Sequence, residues 1–378
     1  MKKQKWIWEY EDYPHFKYNK EKLEPILREI YYEQGKLKSF MLIMDQESTK
    51  YSLAATMENE IIASCEIEGE VLNRESVRSS IKQKLGLESH EHYNAVRKED
   101  NYVEILIDAN TNYNKPIDLE KILGWHHAMF EKGYSGLSKI KVAQFRAEGS
   151  MQVVSGDYGK EKVHYEAPPF DTLEQEMNSF ITWFNDTPSS LEKAAITHLW
   201  FVIIHPFDDG NGRITRALTD RVLSKLEKSS FSKIYTMSKS IYDDRKGYYN
   251  ALDKTTGRFQ KDEPLDITYW MEWFFNTLHH SLLDAQKQLS YILDKTKFWD
   301  DHRADELNAR QIKVLNKFLD IGSENFKGDL TKKKYVKIAN TAETNASRDI
   351  SELLEKACIK KVEGTIGRGT KYTINHKT

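Results

Sequence analysis

A segment near the middle of the sequence combines the residue types that bind phosphate and move protons. It reads HPFDDGNGRITR and runs from His205 to Arg216. Arg213 and Arg216 are three residues apart, so both can flank one helix start, and two guanidinium groups there favour a polyphosphate. Asp209 offers a hard oxygen ligand for Mg²⁺, and His205 can titrate near neutral pH. The segment therefore predicts a site for a magnesium-bound polyphosphate, with His205 as a general base.

Two predicted helices position this segment. The apolar pattern over 190–204 predicts a buried helix, which Pro206 ends. A second helix over 214–227 carries its apolar side chains on one face. The segment thus opens into a helix N-terminus, where backbone N–H groups and the helix dipole favour an anion. We expect Gly210 and Gly212 to provide the backbone turns that bring those N–H groups together.

The segment matches H-x-F-x-[D/E]-G-N-G-R-x-x-R at every specified position and resembles the signature of the Fic family. The resemblance implies an enzyme that transfers AMP from ATP, with Mg²⁺, to a Ser, Thr or Tyr hydroxyl of a target protein. It implies that His205 is the catalytic base, that Phe207 anchors the loop in the core and that Asp209 binds the metal. The implied ATP contacts in the segment are Asp209, Gly210, Asn211, Gly212, Arg213 and Arg216. Of these, Arg216 is implied to contact the γ-phosphate.

Residues 140–170 differ from the helical sequence around them. Their β-branched and aromatic residues surround a glycine-containing turn, which predicts a β-hairpin. A lone hairpin cannot form a core, so this one favours a flap. By the Fic resemblance, the flap holds a segment of the target protein by strand addition. The implied ATP-side stretch of the flap is Val153, Val154, Ser155 and Gly156.

Two adjacent tyrosines, Tyr248 and Tyr249, resemble the pair that lines the adenine pocket in the Fic family. Both aromatic rings are also of a size and polarity that suit ordinary core packing. The resemblance therefore gives one interpretation of this pair, and core packing gives the other.

A second motif, SCEIEG, runs from Ser64 to Gly69. Ser64 and Glu68 are four residues apart, so both lie on one face of a helix. Taken alone, the motif predicts an exposed helix end with Gly69 as its cap. Beside the Fic signature it resembles the inhibitory helix of that family, in which Glu68 pairs with Arg216 and repels the γ-phosphate. The resemblance implies a self-inhibited enzyme, and it leaves open the removal of AMP with Glu68 aligning a water molecule.

The composition excludes several classes of protein. The 378 residues carry 56 Lys and Arg against 58 Asp and Glu, and 39% are hydrophobic, which is too apolar for a disordered chain. The longest apolar run, Leu199–Ile204, is far shorter than the roughly 20 residues of a membrane span. The N-terminus has no apolar stretch typical of a secretory signal, and Cys65 and Cys358 are too far apart in sequence to indicate a disulfide scaffold. We therefore expect a cytoplasmic protein without membrane contact.

Glycine and proline are scarce, with 18 and 8 residues, which predicts a mainly α fold. We expect an N-terminal helical region with the inhibitory motif (1–88), a Fic helical core with the inserted flap (89–305) and a third domain (306–378). The aromatic residues that open the chain are expected to pack on the first turn of their own helical region. The predicted helices are Glu21–Met44, 94–112, 118–132, 172–185, 190–204, 214–227, 265–300, Gln311–Leu319, Val336–Ala339 and Ser347–Cys358.

Residues 306–378 follow the order of a winged helix-turn-helix, with three helices before a hairpin. They hold 15 basic and 9 acidic residues, a net charge of +6. This supports an alternative function, a DNA-binding regulator whose Fic core senses nucleotide. Its implied phosphate contacts are Lys332, Lys333, Lys334, Arg348, Lys360, Lys361 and Arg368. Three acidic residues on the recognition helix, Asp349, Glu352 and Glu355, argue against groove entry, and a protein partner or self-association stays open.

Overall fold

The computed structural model describes residues 5–87, 97–155, 162–228, 234–258, 263–321 and 329–375. Helices dominate these residues, and their strands form only small sheets, which confirms the mainly α prediction. The chain divides into two compact units, residues 1–285 and 286–378. The predicted division at 88 and at 305 stays a prediction. Among the described residues, no helix is both long enough and apolar enough to cross a membrane.

The first unit contains eleven helices among its described residues, and the last of them continues into the second unit. They are α1 (Lys20–Ile43), α2 (Gln46–Ile67), α3 (Arg74–Lys84), α4 (Arg97–Thr111), α5 (Leu119–Met129), α6 (Leu173–Asp186), α7 (Leu191–Ile204), α8 (Asn211–Glu227), α9 (Met237–Asp243), α10 (Arg245–Thr256) and α11 (Thr268–Asp301). Apolar patterns predicted most of them. Helix α2 was predicted only at its C-terminal end, as the inhibitory motif, and α3, α9 and α10 were not predicted. Short polar side chains begin several helices: Asn19, Asp45, Asn73, Asp118 and Ser190 each accept a hydrogen bond from the first turn.

Helices α7 and α8 pack on each other and carry the loop between them. Their facing residues are fully buried, as at Leu199, Ile204, Ile214 and Leu218. Helix α2 packs on α3, α4, α8 and α9, which places its C-terminal end beside the start of α8. The hydrophobic core therefore fixes the three helix ends that meet at the predicted site.

Two antiparallel hairpins accompany the helices of this unit. The first pairs β1 (Tyr134–Ser135) with β2 (Ser138–Lys139), and the second pairs β3 (Gln152–Ser155) with β4 (Lys162–Glu166). The second is the predicted flap, and its register shifts between Val153 and Val154. The predicted turn glycines, Gly156 and Gly159, lie outside the described residues.

The aromatic residues at the start of the chain pack on the flap and on α7, so their predicted packing on their own helical region is wrong. The ring of Trp6 meets that of Tyr165 edge-on, with centroids 5.7 Å apart. The indole Nε1 of Trp8 donates to the carbonyl of Glu166 at 2.7 Å. Tyr13 accepts from Nε1 of Trp200 at 3.0 Å. The sequence could not indicate this, because the partners lie more than 150 residues away.

The second unit has its own buried core, which includes Leu315, Phe318, Leu330, Ile350 and Leu353. Its elements after α11 are α12 (Ala309–Ile321), β5 (Leu330–Thr331), α13 (Lys332–Ala339), α14 (Glu343–Glu355), β6 (Ile359–Lys361) and β7 (Lys371–Ile374). The strands form one antiparallel sheet in the order β5-β7-β6. The assignment of these elements to a winged helix stays a prediction.

Candidate active site

His205 is the residue that ends α7. Its amide donates to the carbonyl of Phe201 at 3.1 Å, and its φ of +49° turns the chain away from the helix. Nδ1 lies 3.3 Å from the carbonyl of Val202, and since a carbonyl only accepts, Nδ1 carries the proton. Desolvation lowers the pKa of His205 to about 4. The imidazole is therefore neutral at pH 7, with Nε2 able to accept a proton, and the expectation that it titrates near neutrality is wrong.

Phe207 lies in the core, as expected for a loop anchor. Its ring is fully buried and stacks on His126, with centroids 4.2 Å apart. The side chain of Asn211 clamps the backbone of Phe207: Oδ1 accepts from its amide at 3.0 Å and Nδ2 donates to its carbonyl at 2.8 Å. The Asn211 side chain thus shapes the loop, and only its backbone amide stands at the expected phosphate site.

His126 on α5 holds the other side of the loop. The amide of Ala143 donates to Nδ1 at 3.0 Å, so Nε2 carries the proton that it donates to the carbonyl of Asp209 at 3.1 Å. Burial lowers the pKa of His126, which keeps this tautomer neutral. Sequence reasoning missed this residue, because a histidine on a helix gives no sign of its tertiary partners.

The part of the flap that precedes β3 is hydrogen-bonded to the same loop. Asp208 accepts from the amides of Lys141 and Ala147 at 2.9 and 3.0 Å. The buried Arg146 donates from Nε to the carbonyl of His205 at 3.1 Å, and its amide donates to that of Pro206 at 2.8 Å. The flap and the catalytic loop are therefore one connected structure, a link that the sequence did not predict.

Asp209 is the residue best suited to hold a divalent cation. One carboxylate oxygen lies 3.1 Å from Nη2 of Arg213, and the other accepts from the hydroxyl of Ser135. Burial alone would raise the pKa of Asp209, but Arg213 and the hydrogen bonds from Ser135 and Gly210 lower it. The carboxylate is thus ionised and its side chain is 36% exposed, which fits an oxygen ligand for Mg²⁺.

The start of α8 forms the expected anion site, but its two glycines act differently. Gly210 has φ of +85°, and a Cβ there would lie 2.8 Å from the ring of Phe130. The amide of Ile214 donates to the carbonyl of Gly210 and makes the first backbone hydrogen bond of α8. The amides of the three residues before Ile214 therefore have no helical carbonyl to donate to. Gly212 is helical and makes no turn, contrary to expectation. A Cβ at Gly212 would lie 2.0 Å from the carboxylate of Glu68.

The two sequence motifs meet at Arg216. Nη1 of Arg216 lies 2.9 Å from Oε1 of Glu68. Nε donates to the hydroxyl of Ser64, and Nη2 donates to its carbonyl, each at 2.7 Å. Glu68 caps the C-terminus of α2, and Gly69 follows with φ of +77°. The γ-phosphate contact that the resemblance implies is therefore occupied by the α2 end.

Arg213 has partners that sequence reasoning missed. Nη1 contacts the carboxylate of Glu70 and the hydroxyl of Tyr102. Cζ lies 4.9 Å from the ring centre of Phe130. Glu70 directly follows the inhibitory motif, and this adjacency could have suggested it as a partner of Arg213. No feature of the sequence indicated Tyr102.

The predicted adenine and flap residues differ in exposure. Tyr248 is 3% exposed and its hydroxyl lies 3.0 Å from Nε2 of His198, so it packs in the core. Tyr249 is 41% exposed, and its hydroxyl lies 3.4 Å from the carbonyl of Ile67 at the end of α2. On β3, Val153 is half-buried and Val154 is 48% exposed. The side chain of Ser155 and all of Gly156 lie outside the described residues.

Two family models match the chain. Residues 116–223 match the Fic/DOC family, and residues 6–87 match a domain of unknown function, DUF4172. The chain is 26% identical over 194 residues to the Protein adenylyltransferase Fic of Nematostella vectensis and 29% identical over 165 residues to that of Aedes aegypti. These matches cover 50% and 42% of this chain. The chain spans only 40% and 30% of the length of these relatives.

Two crystal structures share the fold at low sequence identity. A Fic family protein from Desulfovibrio desulfuricans G20 aligns with a TM-score of 0.50 and 19% identity, covering 94% of this chain and 96% of that one. A Fic domain-containing signaling protein from Bacteroides thetaiotaomicron VPI-5482 aligns with a TM-score of 0.50 and 18% identity, covering 70% and 97%. Residues 116–223 therefore match the Fic/DOC family in sequence, and the chain shares its fold with these two crystal structures.

Proposed function

We propose that this protein transfers AMP from ATP to a hydroxyl side chain of a target protein, and that Glu68 holds it inactive. The observation that carries the proposal is the 205–216 loop. It combines a neutral imidazole, an ionised carboxylate and a helix N-terminus flanked by two arginines. The adenylyltransferase names of the curated relatives support the same chemistry.

The reaction follows from the chemistry of these groups. Nε2 of His205 accepts the proton of the target hydroxyl as its oxygen bonds to the α-phosphorus. The bond from that phosphorus to the bridging oxygen breaks, and pyrophosphate leaves. Asp209 would hold Mg²⁺, which neutralises phosphate charge when it is bound. The first amides of α8 and the guanidiniums of Arg213 and Arg216 bind and orient the phosphates.

The flap offers a place for the target segment. A two-stranded sheet leaves the outer edge of each strand unpaired, and such an edge accepts an added strand. Val154 and Val163, one on each flap strand, are 48% and 40% exposed and give that edge apolar contacts. The bonds from Asp208 to Lys141 and Ala147 fix the flap next to His205. We therefore propose docking of the target on the flap at 140–170.

Inhibition follows from the position of Glu68. Its carboxylate lies over Gly212 and pairs with Arg216, so it takes the guanidinium and places negative charge where the γ-phosphate would bind. The absence of a side chain at Gly212 is what admits the carboxylate. We propose that ATP binds productively only when the α2 end withdraws.

The test is the Glu68→Gly variant with α-labelled ATP and a lysate as the source of targets. We expect AMP incorporation to rise at least tenfold over the parent. Adding His205→Ala should lower it by about 10²–10⁴-fold, the usual contribution of a general base, while ATP still binds. Glu66→Gly, in the last turn of α2, is the matched control and should stay at the parent level. A Glu68→Gly variant no faster than the parent contradicts the inhibition, and incorporation that survives loss of His205 contradicts its role.

A second function, binding of duplex DNA by the second unit, is favoured by a specific observation. Asp349 is 1% exposed and pairs with Arg310 at 2.9 Å, while Glu352 accepts from Nε2 of Gln311 at 2.8 Å. Two of the three acidic residues that argued against groove entry thus bond within the unit, and only Glu355 is exposed. Between the exposed Glu343 and Glu355 at its two ends, the exposed residues of α14 are short polar side chains and one arginine: Thr344, Ser347, Arg348 and Ser351. Such a face suits the major groove.

Exposed lysines extend this surface. Lys333 and Lys337 are exposed on α13, and Lys360 and Lys361 on β6, and none has an ion-pair partner among the described residues. Lys332 pairs with Glu343 at 3.3 Å, which neutralises the acidic residue at the start of α14. We propose that α14 enters the groove and that these lysines contact phosphates.

A further inference from the structure

We propose that Glu70 is a second inhibitory carboxylate, which withholds Arg213 from nucleotide as Glu68 withholds Arg216. This inference rests on the proposed function, because it assigns Arg213 to the phosphates of ATP. It extends the inhibition from alignment of the γ-phosphate to nucleotide binding itself. The two carboxylates form a clamp, defined here as Glu68 and Glu70 on the two arginines of α8.

The turn that ends α2 aims both carboxylates at α8. The amide of Glu70 donates to the carbonyl of Cys65, and that of Gly69 donates to Glu66, each at 3.0 Å. This pair of backbone hydrogen bonds requires a left-handed conformation at Gly69, whose φ is +77°. The chain reverses there, so the carboxylates on either side of Gly69 reach arginines that lie one turn apart on α8.

Glu70 is the point where three elements join. Its carboxylate contacts Nη1 of Arg213 on α8, accepts from the hydroxyl of Tyr102 on α4 at 2.7 Å and pairs with Lys98 on α4. The side chains of Glu70 and Arg213 are 18% and 5% exposed, so their ion pair is poorly screened by solvent. Glu68, with one arginine partner and 28% exposure, is the less buried member of the clamp.

Three of the four terminal N–H groups of Arg213 are engaged by neighbouring side chains in this arrangement. Nη1 is bonded to Glu70 and Tyr102, and Nη2 lies against Asp209. Among the described residues, its Nε–H is buried without an acceptor. A buried donor without a partner is rare and costly, which indicates that another arrangement satisfies this guanidinium better. Release from Glu70 would let its fork turn to a phosphate.

The test measures binding of magnesium-ATP by calorimetry, so it does not depend on transfer. Glu70→Gln keeps the size of the side chain and its acceptor for Tyr102 but removes the charge. We expect it to tighten magnesium-ATP about tenfold, both in the parent and in the Glu68→Gly variant. Glu70→Asp keeps the charge but is one methylene shorter, so we expect a smaller tightening. Glu66→Gln removes an acidic residue from the same segment and should leave the affinity unchanged within about twofold.

Unchanged or weaker affinity in Glu70→Gln would overturn the inference, since Glu70 would then position Arg213 rather than withhold it. Far-ultraviolet circular dichroism and the melting temperature establish that each variant is folded. If Glu70→Gln does not fold, the affinity of Glu70→Asp for magnesium-ATP decides the test. The outcomes separate this inference from the proposed function. Tighter ATP binding without AMP incorporation in Glu68→Gly sustains the clamp and contradicts transfer. AMP incorporation in Glu68→Gly without tighter ATP binding in Glu70→Gln supports transfer and contradicts the clamp.

Discussion

His205 adopts φ of +49° directly after a helix whose last turn is almost wholly buried. This backbone is unfavourable for a non-glycine residue, and the bonds from Arg146 to its carbonyl and from its own amide to Phe201 hold it. Desolvation of this half-buried ring also lowers its pKa and keeps it unprotonated. A single residue therefore gets both its position and its protonation state from the core around it.

This protonation state predicts a flat pH profile for the Glu68→Gly variant between pH 7.5 and 5.5. In the proposed reaction the proton-free imidazole is the active form, and with a pKa of about 4 it persists throughout this range. We expect initial rates of AMP incorporation to change by less than about twofold. A base with the ordinary pKa of about 6.5 would lose about tenfold over the same range. A tenfold loss would show that the imidazole is not desolvated during transfer.

The motif residues were predictable from sequence by type and spacing, but their contacts were not. Gly212 has helical backbone, and its missing side chain matters because Glu68 packs there from another part of the chain. The side chain of Asn211 is hydrogen-bonded to the backbone of Phe207 and does not face the expected phosphate site. Only the packing of α2 on α8 brings Glu68 and Glu70 to the arginines, and no local pattern encodes that packing.

Among the elements, the N-terminal aromatic segment supports the catalytic loop through the flap. Trp6 packs on Tyr165 of β4, and the hydroxyl of Tyr165 donates to the carbonyl of Ile203 at 2.7 Å. Ile203 lies two residues before His205. The chain start thus reaches the end of α7 through one strand residue.

Trp6→Ala should therefore destabilise the unit that holds the site. Trp6 is 4% exposed, and loss of such a side chain costs about 3–5 kcal/mol. We expect a drop of this size in the free energy of unfolding and faster hydrogen exchange of the β4 amides. Tyr32→Ala, which removes an aromatic ring that is 61% exposed, is the control and should cost less than about 0.5 kcal/mol. Equal losses in the two variants would contradict the supporting role of Trp6.

Long helices such as α1 and α11 were readable from apolar spacing, because a buried face repeats along each of them. Helix α9 was not predicted, since its seven residues make only about two turns and give too few positions to show a period. Helix α10 was not predicted either. The flap strands were visible as β-branched runs. Their connection to the loop was not, because it consists of backbone bonds to Asp208 and of the side chain of Arg146.

On the scale of the whole molecule, the net charge of −2 hides an uneven distribution. Residues 306–378 carry a net charge of +6, and two of their acidic groups, Asp349 and Glu352, are bonded within the unit. Sequence could count these charges but not orient them, since Asp349 and Arg348 are neighbours in the chain and face opposite ways.

Full-length protein should bind a random 30-base-pair duplex with an affinity that falls steeply as salt rises. Arg348→Ala with Lys333→Ala should weaken binding and reduce the slope of log affinity against log salt by about 2, one for each lost phosphate contact. Fluorescence anisotropy over a salt series measures both. Lys20→Ala with Lys50→Ala removes the same charge from exposed sites of the first unit and should leave the slope unchanged. Absence of binding at low salt, or an equal loss of affinity in the control variant, would contradict the DNA proposal. Tighter binding of double-stranded RNA than of DNA would contradict it as well and would indicate RNA as the ligand.

The turn at Gly69 also affects the rate at which nucleotide associates with the site. It carries two negative charges, Glu68 and Glu70, to the mouth of the anion site, where Asp209 adds a third. The withdrawal that we propose would remove two of these charges and leave the two guanidiniums facing solvent, so the local field would change from repelling magnesium-ATP to attracting it. Since long-range attraction accelerates diffusional encounter, the proposed movement would set both the association rate and the strength of binding. Added salt should then slow nucleotide association with the withdrawn state and speed it with the clamped one.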